Sequence, residues 1–172
     1  MIGNMSSEGI YIGLGANLPR NEDTPAQTIL AAIKALDGED LRITRVSSLW
    51  QSPAWPDPSK PGYVNAVAKV RTSLSAHALL QRLLEVELVF GRERHSRWDS
   101  RTLDLDLIDY EGQIIRQLPG LILPHPRAKD RAFVLLPLAE IAPDWREPES
   151  GTSIGALIAG LKREDVTATS KL

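Results

Sequence analysis

The 172-residue chain is predicted to form one α+β domain, an antiparallel sheet with helices on its faces. Hydrophobic residues make up 42% of it and charged residues 24%, a balance typical of a globular domain with a sizeable core. Apolar residues recur at helical spacing in two strong segments and alternate as in strands in the others. The order strand, helix, strand, strand, helix, strand is the split βαβ pattern of a ferredoxin-like sandwich.

The first half of the chain is predicted to hold a strand, a helix and two β-rich segments, at 10–15, 25–36, 41–51 and 63–72. Asp23 or Thr24 is expected to cap the helix, with Pro25 in its first turn. The proline-rich stretch 52–62 predicts a loop, because proline cannot donate to a strand ladder. Residues 1–8 are polar and are expected to be disordered.

The second half is predicted to hold a helix, a strand, a strand or turn, short helical turns and a last helix, at 75–91, 101–108, 113–115, 131–141 and 153–161. Ser75 is expected to cap the first of these helices, and Gly91 to lie at its end. No repeat and no linker divides the chain, so a single domain spanning 1–172 is expected.

Two aspartates alternate with leucines in the strand that follows the second helix. Asp104 and Asp106 are expected to share one face of that strand, with Cα atoms roughly 6 to 7 Å apart. Neighbouring carboxylates repel each other unless a positive charge lies between them, and Mg²⁺ prefers oxygen ligands shared with substrate phosphates. A solvated strand face carrying two acids is the alternative interpretation.

Four arginines lie just before this strand, at Arg92, Arg94, Arg97 and Arg101. Guanidinium groups match phosphate oxygens, so arginines next to an acid pair predict a metal–polyphosphate site. A solvated loop, or a non-catalytic module that binds a nucleotide or RNA through these arginines, is the competing hypothesis. The paired acids argue against the module, because a simple phosphate binder gains nothing from them.

Composition narrows the classes of function. The net charge of −2 argues against general nucleic-acid binding, and the absence of cysteine excludes disulfides and zinc–thiolate sites. No signal peptide and no apolar run of membrane-spanning length is apparent, so a cytoplasmic protein without membrane contact is expected. A monomer is also expected.

Other polar and aromatic side chains suit ligand binding. Tyr63 and Asn65 share a strand face, where one can stack on a flat heterocycle and the other can pair with its edge; a cross-strand aromatic and a strand-end amide are the alternative. His125 suits either a contact to phosphate or ribose or a structural position in a loop. Arg131 can add a further positive charge to the group of arginines at 92–101. Glu87 is either a helix-surface acid or a nucleotide contact.

Motifs at 11–18, 63–66, 91–94, 97–106, 124–125 and 131–143 together resemble the 6-hydroxymethyl-7,8-dihydropterin pyrophosphokinase family of folate biosynthesis. The resemblance covers roughly residues 10–145. It implies a ferredoxin-like fold and transfer of diphosphate from ATP to the hydroxymethyl group of the pterin, with release of AMP. It also implies two Mg²⁺ ions bound with ATP.

By this resemblance, Asp104 and Asp106 ligate both metal ions. The side chains implied to contact ATP or the transferred phosphates are Glu87, Arg92, Arg94, Trp98, Arg101, His125 and Arg131. Among these, Arg92, Arg94 and Arg101 are expected to be catalytic together with the two aspartates. The residues implied to hold the pterin are Ser52, Pro53, Trp55, Tyr63, Asn65 and Phe133.

Overall fold

The structure is a computed structural model that describes residues 9–54, 57–91, 102–117 and 120–172. Its strands are β1 Ile10–Ala16, β2 Leu41–Val46, β3 Trp50–Ser52, β4 Tyr63–Thr72, β5 Asp104–Tyr110, β6 Ile115–Gln117, β7 Leu121–Leu123 and β8 Ser170–Lys171. Its helices are α1 Pro25–Leu36, α2 Ala76–Val89, α3 Ala132–Ile141, α4 Ile154–Ala159 and α5 Arg163–Ala168, with a 3₁₀ turn at Ala128–Asp130.

The main sheet has six strands in the order β5-β1-β4-β3-β8, and β2 also pairs with β4. All of its pairs are antiparallel. β2 lies beside the end of β4 and β3 beside its start, so the predicted β-rich segment 41–51 is two strands. The four strands of the split βαβ pattern are β1, β2, β4 and β5. They lie in the sheet in the order β5, β1, β4, β2, which confirms the ferredoxin-like fold.

Side-chain caps define the two long helices at the predicted positions. Thr24 caps α1: its hydroxyl accepts a hydrogen bond from the Gln27 N–H at 3.2 Å, and the Gln27 side chain accepts one from the Thr24 N–H at 2.8 Å. This reciprocal pair is a capping box. Ser75 caps α2 through the Ala78 N–H at 3.2 Å. Gly91 follows α2 with φ +80°, a conformation that glycine adopts without strain.

Two apolar clusters lie on opposite faces of the sheet. Helices α1 and α2 cover one face, and their cluster includes alternate residues of β1, β4 and β5. Helices α3 and α4 lie on the other face, where Tyr11, Val67 and Ile108 meet Leu135 and Leu138. Strands β1, β4 and β5 therefore each contribute one set of side chains to each face.

The pairing of β1 with β5 contains a bulge. Tyr11 lies opposite Asp109 and Ile12 opposite Leu107, so Ile108 is an extra residue in β5. Because of the bulge, Ile108 and Asp109 both point toward the α3 face. Asp109 is fully buried there and accepts a hydrogen bond from Trp145 Nε1 at 2.8 Å.

The C-terminal third differs most from the prediction. Residues 132–141 form one continuous helix rather than short turns, with Pro137 inside it. The segment is apolar nearly all round because it packs between the sheet and α4, so it lacks a helical period. The predicted last helix is α4, and the sequence did not predict α5, β7 or β8. None of the helices in the described residues has the length and apolar character needed to cross a bilayer.

Candidate active site

The acid pair lies on the α3 face of β5. Asp104 and Asp106 are partly exposed, whereas Leu105 and Leu107 are 4% exposed and pack under α1 and α2. The alternation predicted from the sequence is therefore confirmed. The two carboxylates point away from the main apolar core, toward a part of the sheet that the helices leave open.

Two side-chain and loop contacts satisfy the outer edge of β5. The Leu105 N–H, which lies between the two aspartates, donates to Glu87 Oε1 at 2.7 Å, and the Ile108 carbonyl accepts from the His125 N–H at 2.9 Å. Glu87 is 1% exposed, so the alternative of a helix-surface acid is wrong. Its position on the inner face of α2 places its carboxylate at the outer edge of the strand that carries the acids.

His125 faces the acid pair as a neutral imidazole. Its Nδ1 accepts the Arg127 N–H at 3.2 Å, so the ring proton lies on Nε2, which is 3.8 Å from Asp106 Oδ1. Burial, the Arg131 charge and the Arg127 charge lower the pKa of His125 to about 4, although Asp104 opposes them. The Nε2–H group is thus a donor near neutral pH, and 3.8 Å is too long for a hydrogen bond to Asp106.

Arg131 lies at the start of α3, near both aspartates. Burial lowers the pKa of Arg131, and the charge of Asp106 counteracts this effect, but a guanidinium stays protonated at neutral pH. Its Cζ lies 5.4 Å from the centroid of the Phe133 ring, within range of a cation–π contact. The structure therefore brings Arg131, Phe133 and His125 to the side of the sheet where the acids lie.

A row of paired residues crosses the sheet on this face. Asp104 is opposite Gly15, Gly15 is opposite Asn65, and Asn65 is opposite Trp50. Directly opposite residues of antiparallel strands point to the same face, and strands are about 4.8 Å apart, so Asp104 and Asn65 are about 10 Å apart. A Cβ at position 15 would lie 3.2 Å from Asn65 Oδ1. Glycine thus keeps the space between the acid and the amide open.

Asn65 and its neighbours form the other end of this row. Asn65 is 4% exposed and donates from Nδ2 to Ser52 Oγ at 2.9 Å. Tyr63, which pairs with Ser52, lies on the same face two residues before Asn65. Gly62 passes so close to β3 that a Cβ there would lie 2.8 Å from the Ser52 carbonyl oxygen, which only glycine avoids. Pro53 follows β3 and is exposed.

A cleft of about 230 Å³ opens along the outer edge of β5. Its lining combines apolar side chains with polar surface, including that of Asp106 from the acid pair and of His125. The lining residues include Leu80, Leu107, Leu121, Ile122, Asp106 and His125. A second cavity, of about 300 Å³, lies at the far end of β4 beside Thr72, among charged surface residues such as Asp40 and Arg42. None of the predicted site residues that the structure describes lines that second cavity.

Comparison with known proteins identifies the family. Residues 11–143 match the 7,8-dihydro-6-hydroxymethylpterin-pyrophosphokinase (HPPK) family. The chain belongs to this family. Membership confirms the resemblance found in the motifs and makes the chain an enzyme, an ATP-dependent diphosphokinase.

Several bacterial relatives are named 2-amino-4-hydroxy-6-hydroxymethyldihydropteridine pyrophosphokinase. The protein of Synechocystis sp. is 44% identical over 150 residues, covering 87% of this chain and 74% of the relative. That of Haemophilus influenzae is 42% identical, covering 81% and 85%, and that of Pseudomonas aeruginosa is 39% identical, covering 91% and 94%.

Solved structures agree on the fold. The crystal structure of wild-type Plasmodium falciparum HPPK-DHPS superposes with a TM-score of 0.65 at 12% identity, over 90% of this chain. The chain spans only 42% of the length of that protein. At this identity the likeness supports the architecture of the HPPK domain and carries no residue roles.

The acid pair of this HPPK-family chain suits magnesium held jointly with a substrate. Across 9–54, 57–91, 102–117 and 120–172, no group of three or more His, Cys, Asp or Glu side chains is placed to hold a metal by itself. Mg²⁺ seldom uses such a cage, because it is usually bound by one or two carboxylates, waters and substrate phosphates. Asp104 and Asp106, partly exposed on one strand face, fit that pattern.

Some residues that the sequence singled out lie outside the described residues, namely Trp55, Arg92, Arg94, Arg97, Trp98 and Arg101. The expectation of disorder for residues 1–8 also falls outside them. The sequence also missed positions that the structure brings to the site. Leu121 and Ile122 line the cleft, and the short apolar run Leu-Ile-Leu between Gly120 and Pro124 was a usable signal. Trp50 and Glu140, which meet beside Asn65, gave no such signal, because their contact joins residues 90 positions apart.

Proposed function

We propose that the α3-facing side of the sheet is where this chain transfers the diphosphate of ATP to the hydroxymethyl group of 6-hydroxymethyl-7,8-dihydropterin. The products are AMP and the pterin diphosphate, as expected for a step of folate biosynthesis. The observation that carries this assignment is the row Asp104, Gly15 and Asn65, which sets an acid pair and a buried amide on one face. The gap of about 10 Å between them leaves room for a transferring group.

In this proposal the adenosine of ATP occupies the cleft beside β5, and its phosphates extend toward Asp106. The Nε2–H of His125 and the guanidinium of Arg131 then donate to phosphate oxygens, because both lie beside the acids. Further ATP contacts are assigned to Arg92, Arg94, Trp98 and Arg101. The three arginines among them are also proposed as catalytic. Glu87 belongs to the same nucleotide site, with its Oε1 already bonded to the Leu105 N–H.

Asp104 and Asp106 are the proposed ligands of two Mg²⁺ ions that bind with ATP. When bound there, magnesium neutralises phosphate charge and lowers the pKa of a coordinated hydroxyl group. The carboxylates contribute by standing on a rigid strand, which fixes their separation before the substrates arrive. Glu87 stiffens that strand from its outer edge through the backbone between them.

The pterin is assigned to the other end of the row. Asn65 offers its amide oxygen to ring N–H groups, while its N–H₂ group is held by Ser52. Tyr63 and Phe133 are the proposed aromatic walls, and Pro53 and Trp55 belong to the loop that borders the ring. The Arg131 guanidinium lies over the Phe133 ring. The proposed pterin wall, Phe133, and the proposed phosphate contact, Arg131, therefore both lie at the start of α3.

The chemistry then requires orientation and charge neutralisation more than proton transfer by a side chain. Phosphoryl-type transfer depends on aligning the attacking and leaving oxygens and on stabilising charge on the phosphates. His125 is neutral at pH 7 and acts as a donor rather than as a charged partner of Asp106. We further propose that residues 1–172 act as a single monomeric domain in the cytoplasm.

The test is product analysis with ATP, Mg²⁺ and 6-hydroxymethyl-7,8-dihydropterin, separating AMP from ADP by chromatography. AMP is expected to form in equal amount to the pterin diphosphate, and neither should form with a 6-methyl analogue that lacks the hydroxyl. ADP as the nucleotide product would contradict diphosphate transfer. Formation of AMP with the 6-methyl analogue would indicate hydrolysis of ATP instead.

A further inference from the structure

Glu140 on α3 gathers a set of donors from the strand β3 region. Its carboxylate accepts from the Ser48 N–H at 2.9 and 3.2 Å and from the Ser48 hydroxyl at 2.6 Å. It also accepts from Trp50 Nε1 at 3.0 Å. Lys171 Nζ lies 3.9 Å from the same carboxylate. One side chain thus ties together α3, the residues leading into β3, and the end of the chain.

The two elements that Glu140 joins carry the two sides of the proposed pterin site. Helix α3 begins next to Arg131 and contains Phe133, two turns before Glu140. Strand β3 begins with Trp50 and ends with Ser52, whose hydroxyl holds the Asn65 amide. Strand β4 packs against α3 directly, but the Asn65 amide is oriented by Ser52. The placement of the Ser52–Asn65 pair relative to the aromatic wall on α3 therefore depends on how firmly β3 is held against α3.

Strand β3 is only three residues long and needs support on its outer edge. Strand β8 supplies it: Trp50 pairs with Lys171 and Gln51 with Ser170, and the Leu172 N–H donates to the Leu49 carbonyl at 2.8 Å. The Lys171 ammonium also lies 5.7 Å from the centroid of the Trp50 ring. These last residues lie beyond the family match at 11–143, so this support comes from a part of the chain that the family match does not include.

We propose that Glu140, reinforced by Lys171, is a positioning residue for the pterin half of the site. It fixes β3 against α3 and so sets the spacing between Phe133 and the Ser52–Asn65 pair before the pterin binds. The inference rests on the proposed placement of the pterin, and it assigns Glu140 no contact with substrate. Its effect is therefore expected on pterin affinity and not on ATP affinity, because the nucleotide cleft lies across the sheet at β5.

The charge state of Glu140 agrees with a role as acceptor. Partial burial alone would raise the pKa of Glu140, but the hydrogen bonds from Ser48 and Trp50, together with the Lys171 charge, lower it below the usual value. The carboxylate thus stays ionised throughout the neutral range. As an ionised acceptor it binds its donors more strongly than a neutral amide would.

Steady-state kinetics with each substrate varied separately tests the proposal. Glu140→Gln is expected to raise the pterin KM about tenfold, the effect of losing charge-assisted hydrogen bonds, while the ATP KM and kcat change less than about twofold. Trp50→Phe removes one donor and retains a smaller aromatic ring, and Lys171→Met removes the ammonium. Each should raise the pterin KM in the same direction by a smaller factor.

The matched control is Glu149→Gln, which removes another exposed acid, the ion-pair partner of Arg116 at 2.6 Å, and should change neither KM. An equal rise in both KM values, or no rise, in a folded Glu140→Gln protein would overturn the proposal. If that variant does not fold, unchanged pterin KM values in both Trp50→Phe and Lys171→Met would overturn it. Wild-type protein that makes no AMP from the pterin would reject the proposed function instead.

Discussion

The two faces of the central sheet are built from the same strands but serve different purposes. On the face under α1 and α2, β1 contributes Ile10, Ile12 and Leu14, all at most 3% exposed, to a closed apolar layer. On the opposite face the same strand contributes Tyr11, then Gly13 and Gly15. The apolar character is lost progressively toward the end of the strand where the acids and Asn65 lie.

This contrast separates the source of stability from the source of function. The α1/α2 face carries the larger cluster of buried apolar residues, so burial there makes a large contribution to folding stability. The α3 face is apolar only where α3 and α4 cover it, and it is polar beyond them. One strand can contribute to both the apolar core and the polar site, because its successive side chains point to opposite faces of the sheet. Substitutions on the two faces should therefore have opposite consequences.

The largest expected effect comes from a pair of substitutions on neighbouring strands. Asp106→Asn should lower kcat by more than about 100-fold, because it removes the charge of a proposed magnesium ligand, yet change stability by less than about 1 kcal/mol. Ile12→Ala, on the closed face, should cost about 2 to 5 kcal/mol of stability and leave kcat nearly unchanged when the protein is folded. Urea unfolding and AMP formation at saturating Mg²⁺ measure the two quantities.

The comparison breaks down if Asp106→Asn keeps near-wild-type turnover, since the acid would then be an ordinary surface residue. It also breaks down if Asp106→Asn unfolds as readily as Ile12→Ala. Asp104→Asn provides a second test of the same face, and it is expected to behave as Asp106→Asn does.

A smaller effect is expected at the other end of the polar row. Asn65→Ala removes the partner of Ser52 and the proposed partner of the pterin ring, at a cost of about 1 to 3 kcal/mol in pterin binding. ATP binding should change much less, because the cleft at β5 is two strands away. Isothermal titration with the pterin and with a non-hydrolysable ATP analogue measures both; equal losses would mean that Asn65 only holds the end of the strand.

The smallest expected effect is a change of stability with pH that comes from His125, on the α3 face. The folded pKa of His125, about 4, lies below the reference value of 6.5, so between these values the unfolded chain binds the proton more readily. Stability from this residue is therefore complete above pH 6.5 and falls as the pH is lowered toward 4. At pH 5 the loss is at most about 2 kcal/mol, from about 1.4 kcal/mol per pKa unit.

Urea unfolding of wild type and His125→Gln at pH 7.5 and 5.0, in EDTA, isolates this contribution, since other acids titrate in both proteins. The charges that face the imidazole are those of Arg131, Arg127, Asp104 and Asp106. The wild type should lose more stability on acidification than the variant. Identical losses would mean that the imidazole is as free to protonate in the folded protein as in the unfolded chain.

Local patterns in the sequence predicted the parts of the fold that local physics decides. The alternation in 103–107 predicted which face carries the acids, and Thr24 and Ser75 predicted where the helices begin. Those features depend on residues within four positions of one another. By contrast, β8 consists of two polar residues and acquires its strand geometry only by pairing with β3, about 120 positions earlier. No local pattern contains that information.

The same distinction applies to the candidate site. Asp104, Asp106, Asn65 and His125 were identified from residue type and motif, whereas the roles of Gly15 and Glu140 depend on what lies across the sheet. Glu87 illustrates the limit most clearly. Its chemistry was noticed, but whether it faced water or the edge of β5 depended on the angle at which α2 packs. Residue type indicates what chemistry a side chain can perform, and the packing of helices and strands determines which groups it contacts.

The bulge at Ile108 determines which changes of length β5 can accept. Ile108 is the one residue without a counterpart in β1, so its deletion would restore a regular ladder and leave Asp104 and Asp106 on their present face. The cost would be the loss of a buried side chain from the α3 cluster and of the carbonyl that accepts the His125 N–H. Deleting Leu105 instead would move Asp104 into the apolar layer under α1 and α2, because a one-residue slip reverses the facing of a strand. Deleting one residue of β5 after Asp106 should therefore preserve the facing of the acids, whereas deleting the residue between them should bury Asp104 in the apolar layer.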